Sequence, residues 1–307
     1  MKDHLTPHPP PAGDRPARLE SQFLQKQPEL SDSEYQSIAN FVHKEAGINL
    51  LDGKKELVRA RLAKRITQLQ FKDFKSYFRH VMADRSGDEL VFLLDALSTN
   101  LTSFWREPQH FDFMVKTFLP ELEQKRSRPG GGGPRLRIWS CACSSGEEPY
   151  TIAMTVLDRS PYFANGGDFR ILATDLSTKV LNMAKRGEYG PESVKNVPPN
   201  MRQAYMTRIP HEKGGDHWRV IDGVRRIISF RRLNLMETLP IRNPMDLIFC
   251  RNVFIYFDRT TITELVNKYH KILEPGGYLF IGHSESLSGL QHPFQYVAPC
   301  IYRKVAP

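Results

Sequence analysis

The chain has 307 residues, of which 40% are hydrophobic and 25% charged, so it is long enough for two domains of ordinary globular composition. It contains no apolar run of about 18 residues and no secretory signal, which excludes a membrane-inserted or secreted protein and predicts a soluble intracellular one. The net charge of +9 favours an acidic partner without separating nucleic acid, a membrane surface and a protein. The four cysteines lack the spacing of zinc ligands, so we expect reduced thiols and no bound metal.

The first 29 residues are rich in proline and poor in aromatic side chains, which predicts a disordered tail over 1–29. A small all-helical domain is predicted over 30–106, because Ser31 and Glu34 form a capping-box pair and apolar residues then recur at helical spacing. Residues 107–134 are predicted to form a linker helix and a flexible connector with four consecutive glycines.

A one-sided basic segment lies in the second predicted helix and the residues after it. Lys54, Arg61 and Arg65 project together from one flank of that helix, which makes them candidates for docking an acidic partner. A solvated helix face is the alternative explanation, and the sequence does not decide between the two.

From Leu136 onward strand and helix patterns alternate, with strands near 136–142, 169–175, 227–234, 245–251 and 277–283. This rhythm predicts an α/β domain over 135–307, built on a doubly wound parallel sheet with helices on both faces. An inserted antiparallel β-subdomain is predicted at about 191–231, with short strands at 217–221 and 225–230.

The segments IWSCACSSGEEPY (138–150) and ILATDLS (171–177) indicate an adenosine-binding crevice. The first is typical of a strand that enters a helix through a tight turn, and the second of a strand that ends on an acid. Asp175 is therefore placed to hold both hydroxyls of a ribose. Glu147 and Glu148 would repel a pyrophosphate, which favours S-adenosylmethionine, a cofactor with a positive sulfonium and no phosphates.

Two further strand ends carry polar residues. Asn234 and Leu235 follow the third strand and could contact adenine, although a turn asparagine explains that position equally well. Arg251 and Asn252 directly follow an apolar strand, which favours a functional site over packing. The segment LSTNLTSFWR (97–106) mixes polar and aromatic residues, and taken alone it is better explained as a loop that ends a helix.

Four segments together resemble the signature segments of the chemotaxis receptor glutamate methyltransferases, the CheR family. They are NLTSFWRE (100–107), SCACSSGEEPY (140–150), FCRNVFIYFD (249–258) and EPGGYLFIGHSE (274–285), and they occur in the family order. The resemblance implies a class I S-adenosylmethionine-dependent methyltransferase with a Rossmann-like sheet, an amino-terminal helical domain and a small β insertion. It also implies O-methylation of glutamates on the cytoplasmic helical bundle of bacterial chemoreceptors, with S-adenosylhomocysteine as the second product, in the bacterial cytoplasm.

The resemblance assigns roles residue by residue. Arg106 and Tyr256 match residues thought to orient the substrate carboxylate, although by position alone Tyr256 could equally be a core tyrosine. No catalytic histidine is needed, because a glutamate with a pKa of about 4.3 is ionised at neutral pH. The residues that match cofactor contacts are Asn100, Thr102, Arg106, Glu148, Asp175, Asn234, Leu235, Arg251 and Asn252.

Several questions stay open at this stage. Some family members bind the receptor's C-terminal peptide at the inserted β-subdomain, and this sequence does not decide whether it does so. We expect a monomer that binds neither nucleic acid nor the membrane interior. The alternatives are a methyltransferase for another substrate such as RNA, which predicts a basic groove continuous with the site, and a signalling adaptor that retains the fold.

Overall fold

The computed structural model of the protein describes residues 28–50, 53–98, 100–126, 134–210 and 215–305. All but the last two residues of the predicted tail lie outside these ranges, and so do the four consecutive glycines of the predicted connector. Within the described ranges, no helix combines the length and the apolar character needed to cross a bilayer.

Helices alone make up the amino-terminal part. They are α1 (Asp32–Ala46), α2 (Lys55–Gln68), α3 (Phe74–Ala83) and α4 (Asp88–Leu97). The capping box begins α1, because the Ser31 amide donates to the Glu34 carboxylate at 2.9 Å and the Glu34 amide donates to the Ser31 hydroxyl at 3.3 Å. Gly47 ends α1 with a left-handed φ of 71°. The apolar faces of the four helices pack into one core.

The linker helix consists of α5 (Gln109–Phe113), a π-helical turn (Met114–Phe118) and α6 (Leu119–Arg126). The apolar residues Phe111, Met114 and Phe118 of this helix are buried, and they belong to the core that covers one face of the large sheet. The linker therefore packs on the α/β domain.

The α/β domain alternates strands and helices as the sequence indicated. Its elements are β1 (Leu136–Cys141), α7 (Glu147–Arg159), α8 (Pro161–Ala164), β2 (Phe169–Asp175), α9 (Thr178–Arg186), β3 (Glu188–Tyr189), α10 (Pro191–Val194), α11 (Pro199–Tyr205), β4 (Met206–Pro210), β5 (Asp216–Val220), α12 (Asp222–Arg225), β6 (Ile228–Arg232), β7 (Met245–Cys250), a 3-10 turn (Phe254–Tyr256), α13 (Arg259–Ile272), β8 (Leu273–Ile281), β9 (Phe294–Ala298) and β10 (Ile301–Lys304).

The large sheet has seven strands in the order β6-β2-β1-β7-β8-β10-β9. The five strands from β6 to β8 are parallel, whereas β10 and β9 add an antiparallel edge that the sequence analysis did not predict. Every residue of β7 is buried, as expected for a central strand covered on both faces. The predicted doubly wound fold is thereby confirmed.

The predicted β insertion is present as a three-stranded antiparallel sheet in the order β3-β5-β4. Two details differ from the prediction. The sheet already starts at Glu188, before the predicted boundary. The segment 225–230 is not one of its strands, because β6 pairs with β2 of the large sheet, where Ile228 lies opposite Ile171 and buries its side chain together with Phe230.

Candidate active site

One cavity brings together all ten predicted cofactor and substrate residues. It lies at the carboxyl ends of β1, β2 and β7, below the loop that leaves α4, and encloses about 1030 Å³ of open space including its mouth. The predicted residues in its wall are Asn100, Thr102, Arg106, Glu148, Asp175, Asn234, Leu235, Arg251, Asn252 and Tyr256.

The turn between β1 and α7 forms the floor of the cavity. Ala142 and Ser144 have left-handed φ values of 53° and 49°, a conformation that costs free energy and persists only where the surroundings enforce it. Gly146 follows with a φ of 99°, and a Cβ atom there would lie 2.9 Å from the Tyr189 hydroxyl oxygen. The Ser144 hydroxyl donates to the Asn100 carbonyl at 2.9 Å, which ties the turn to the loop above it.

Asp175 lies beside this turn with both carboxylate oxygens engaged. Oδ2 accepts from the Ser144 amide at 2.8 Å, and Oδ1 accepts from the Ser177 amide at 2.9 Å. Burial raises the pKa of Asp175, although these amide donors oppose the shift. Because each oxygen retains a second acceptor position, the carboxylate can still bind two hydroxyl groups of a ligand.

Arg251 lies between two carboxylates and is 5% exposed. Its Nη1 donates to Glu148 Oε2 at 3.0 Å, and its Nε and Nη2 donate to Glu107 Oε2 at 3.2 and 3.0 Å. Glu148 also accepts from the Ser140 hydroxyl at 2.7 Å. Burial raises the pKa of Glu148, and the charge of Arg251 counteracts that effect. The adjacent Glu147 does not line the cavity and instead accepts from the Ser145 hydroxyl.

Two acidic residues that the sequence analysis did not single out support the end of β7. Glu107 Oε1 accepts from the Asn252 side-chain amide at 3.2 Å, and Glu285 Oε2 accepts from the Asn252 backbone amide at 3.1 Å. Gly282 makes this packing possible, because a Cβ atom there would lie 2.6 Å from Asn252 Nδ2. Glu107 and Glu285 are the last residues of two of the signature segments, and this position in the sequence could have identified them as candidate site residues.

The helical domain closes one side of the cavity. Asn234 Nδ2 donates to the Glu45 carbonyl at 2.7 Å, and the Asn49 amide donates to the Tyr256 carbonyl at 2.7 Å. The amide of Asn234 therefore bridges the two domains as well as lining the cavity. Arg106 is half-buried and donates from Nη1 to the Leu101 carbonyl at 2.8 Å, which leaves its other donors for a ligand.

The predicted docking residues differ in their environments. Lys54 is exposed, but Arg61 donates to the Leu97 and Ser98 carbonyls at 2.8 and 3.1 Å, and Arg65 forms a two-bond ion pair with Glu89 at 3.0 and 2.6 Å. Two of the three arginine and lysine side chains thus stabilise the helical domain. Their role in docking stays a prediction.

A histidine cluster lies directly behind Glu107. Oxygen and nitrogen atoms of Glu107, His110 and His283 lie within 4.8 Å of one another, a spacing from which a metal site could be built. The Arg251 guanidinium donates to Glu107 Oε2, and its positive charge disfavours a metal cation beside this carboxylate. His110 is fully buried, and burial together with the charge of Arg251 lowers its pKa to about 3.

The wall of the cavity fits S-adenosylmethionine better than a nucleotide that carries phosphates. Its charged side chains are two arginines and two acids, and the described wall contains no lysine. Arg251 is already neutralised by carboxylates, and the walls near Leu235 and Val253 are apolar. A ligand with a ribose, a flat base and a positive sulfur suits this lining.

Known proteins resemble the chain over nearly its whole length. A family model described as "CheR methyltransferase, SAM binding domain" matches residues 100–302, and a second described as "CheR methyltransferase, all-alpha domain" matches residues 33–98. The "Chemotaxis protein methyltransferase" of Borreliella burgdorferi is 37% identical over 90% of this chain and 95% of its own. The "Probable chemotaxis protein methyltransferase" of Rhizobium etli is 40% identical over 85% of this chain and 96% of its own, and the Escherichia coli K12 relative is 36% identical over 89% and 91%. The chain therefore belongs to the CheR family of methyltransferases, whose cofactor is S-adenosylmethionine.

Proposed function

We propose that the protein O-methylates glutamate side chains on the cytoplasmic helical bundle of bacterial chemoreceptors and releases S-adenosylhomocysteine. The observation that carries the proposal is that one cavity gathers the candidate cofactor residues and the two candidate substrate residues, Arg106 and Tyr256. The names of the relatives, which are chemotaxis methyltransferases, support the receptor as partner. The reaction would then take place in the bacterial cytoplasm.

The proposed reaction is an in-line displacement at a methyl group. When bound, S-adenosylmethionine supplies a methyl group on a positively charged sulfur. A substrate glutamate is already ionised and needs no general base, and the described wall of the cavity contains no histidine or lysine. The work of the protein is therefore to align the carboxylate and to exclude water from it.

Arg106 and Tyr256 would orient the substrate carboxylate. Because Arg106 keeps one N–H on the Leu101 carbonyl, its guanidinium is fixed on one side of the cavity mouth. We expect it to hold one carboxylate oxygen through a charge-assisted hydrogen bond, which leaves the other oxygen free to attack. Tyr256 would donate a second orienting hydrogen bond.

Docking of the receptor would use surfaces outside the cavity. The exposed Lys54 lies at the start of the basic helix α2, and β4 is an edge strand of the small sheet. An edge strand can bind an extended peptide by strand addition, as the C-terminal segment of a receptor would require. Both contacts belong to the proposal.

The proposal is tested by transfer of radiolabelled methyl from S-adenosylmethionine to a panel of receptor cytoplasmic fragments. Label that mild base releases as methanol identifies glutamyl methyl esters and supports the proposal. Base-stable label, or label on RNA, contradicts it and indicates another substrate. Tight cofactor binding without any label on the whole panel indicates an adaptor.

A further inference from the structure

We propose that Glu107 is a positioning residue that couples the cofactor side of the cavity to its substrate side. The inference rests on the proposed function, because it concerns the same cavity. Glu107 does not line that cavity, yet its carboxylate holds Arg251 and Asn252, which do.

The carboxylate of Glu107 fixes both Arg251 and Asn252 at the end of β7. Oε2 accepts two N–H groups of Arg251, at 3.2 and 3.0 Å, and Oε1 accepts from Asn252 Nδ2 at 3.2 Å. Burial opposes ionisation of Glu107, but Arg251 and Asn252 outweigh it and keep the pKa of Glu107 below its usual value. The carboxylate is thus charged at neutral pH and holds the pair through charge-assisted hydrogen bonds.

The guanidinium of Arg251 also contacts Arg106, the residue proposed to orient the substrate carboxylate. Arg251 Nη2 donates to the backbone carbonyl of Arg106 as well as to Glu107. The position of the Arg106 backbone is therefore set by Arg251, and the position of Arg251 is set by Glu107 on one side and Glu148 on the other.

The backbone around Glu107 is strained. Trp105 and Glu107 both have left-handed φ values, of 52° and 57°, and Asn252 on the opposite side has a φ of 58°. Such conformations in residues other than glycine persist when the surrounding contacts enforce them. The bonds from Arg251 and Asn252 to the Glu107 carboxylate join the two segments that carry these conformations.

The other acids near Arg251 and Asn252 already have partners of their own. Glu148 pairs with the Nη1 side of Arg251, and Glu285 accepts from the backbone amides of Asn252, Phe254 and Gly282. Without the charge on Glu107, Arg251 would keep Glu148 as its charged partner, and its guanidinium would shift toward that side. The shift would disturb the cofactor contacts of Arg251 and the carbonyl of Arg106 together.

The test compares Glu107→Gln with the parent and with Glu121→Gln. Glu121 forms a matched arginine pair with Arg303 at 2.8 Å, on α6 and away from the cavity. The dissociation constant of S-adenosylhomocysteine is measured by calorimetry, the KM for a receptor fragment by methyl transfer, and folding by thermal unfolding. We expect Glu107→Gln to raise both constants about 10-fold or more, since a buried charge pair loses one charge, and Glu121→Gln to leave both near the parent values.

Parent-like values of both constants in Glu107→Gln overturn the inference, and a change in only one of them overturns the coupling. If Glu107→Gln does not fold, Glu107→Asp tests the geometry of the contact instead: it keeps the charge but is too short to hold both Arg251 and Asn252, so both constants should still rise together, and parent-like constants overturn the inference. If the parent protein binds S-adenosylhomocysteine but transfers no methyl group to any receptor fragment, the proposed function is contradicted instead. The calorimetric comparison then still tests whether Glu107 positions the residues that bind the cofactor.

Discussion

Replacement of Asp175 by alanine is predicted to remove the ribose contact of the cofactor. The carboxylate is 7% exposed at the end of β2, and the backbone amides of Ser144 and Ser177 fix its orientation at 2.8 and 2.9 Å. Each of its oxygens has one acceptor position left for a ribose hydroxyl. Hydrogen bonds to a charged group contribute about 1.5–3 kcal/mol each. Two such bonds therefore amount to at least about 3 kcal/mol, which raises the dissociation constant more than about 100-fold.

The assay is calorimetric titration with S-adenosylhomocysteine, accompanied by thermal unfolding. Asp168→Ala is the matched control, because Asp168 lies next to the amino end of the same strand and pairs with Arg137 at 2.7 Å. The control should bind with parent affinity. If the alanine variant unfolds, Asp175→Asn gives the same comparison at nearly unchanged volume. A folded Asp175 variant that binds S-adenosylhomocysteine as tightly as the parent would refute the ribose assignment.

Four further predictions concern other parts of the molecule. Arg106→Ala should lose methyl transfer to a receptor fragment while its unfolding temperature stays at the parent value, and normal turnover would contradict its substrate role. Lys54→Glu should raise the KM for the receptor fragment, measured from initial rates, without affecting cofactor binding. Arg65→Ala should lower the free energy of unfolding by about 3 kcal/mol, because the buried Glu89 loses its charged partner and keeps the Tyr77 hydroxyl. Denaturant unfolding measures this change, and a parent-like stability of Arg65→Ala would contradict the structural role. Burial lowers the pKa of His110 to about 3 in the folded protein, whereas the same imidazole has a pKa of about 6.5 in the unfolded chain. Between these pH values the unfolded chain binds a proton that the folded protein does not, so the free energy of unfolding falls as the pH decreases from about 6.5 toward 3. His110→Phe keeps the stacking on Phe280 and has no group that titrates in this range. At about pH 5 it should be more stable than the parent by about 2 kcal/mol, and its free energy of unfolding should depend less on pH. The same pH profile of unfolding in the variant and the parent would contradict this prediction.

The sequence predicts the parallel sheet well because buried parallel strands carry a strong local signal. β7 is apolar apart from Asp246, and β2 is mainly apolar before it ends on Asp175, so both the strands and the acid at the strand end are visible in the pattern. The antiparallel edge of β9 and β10 was missed because half-exposed edge strands mix polar and apolar residues, as Phe294–Ala298 does. Segment 225–230 was assigned to the insertion although it overlaps the strand predicted over 227–234 of the large sheet, and the pairing of β6 with β2 agrees with the second assignment.

Residues that act through other residues were the ones that sequence reasoning missed. Glu107 has a left-handed φ of 57°, which no periodic pattern reveals, and its partners Arg251 and Asn252 lie far away in the sequence. Arg61 and Arg65 resemble solvated cations on a helix, yet their partners, the Leu97 carbonyl and Glu89, belong to α4. Sequence patterns therefore locate residues at strand ends, whose roles stay predictions, but they do not reveal contacts between side chains from distant segments.

The most direct test of the account is to locate the transferred methyl group on a receptor fragment by tandem mass spectrometry after reaction with S-adenosylmethionine. The account predicts a methyl ester on specific glutamates, absent when those glutamates are replaced by alanine and absent when the enzyme carries Arg106→Ala. A methyl group found on lysine, arginine or another residue of the fragment would contradict it.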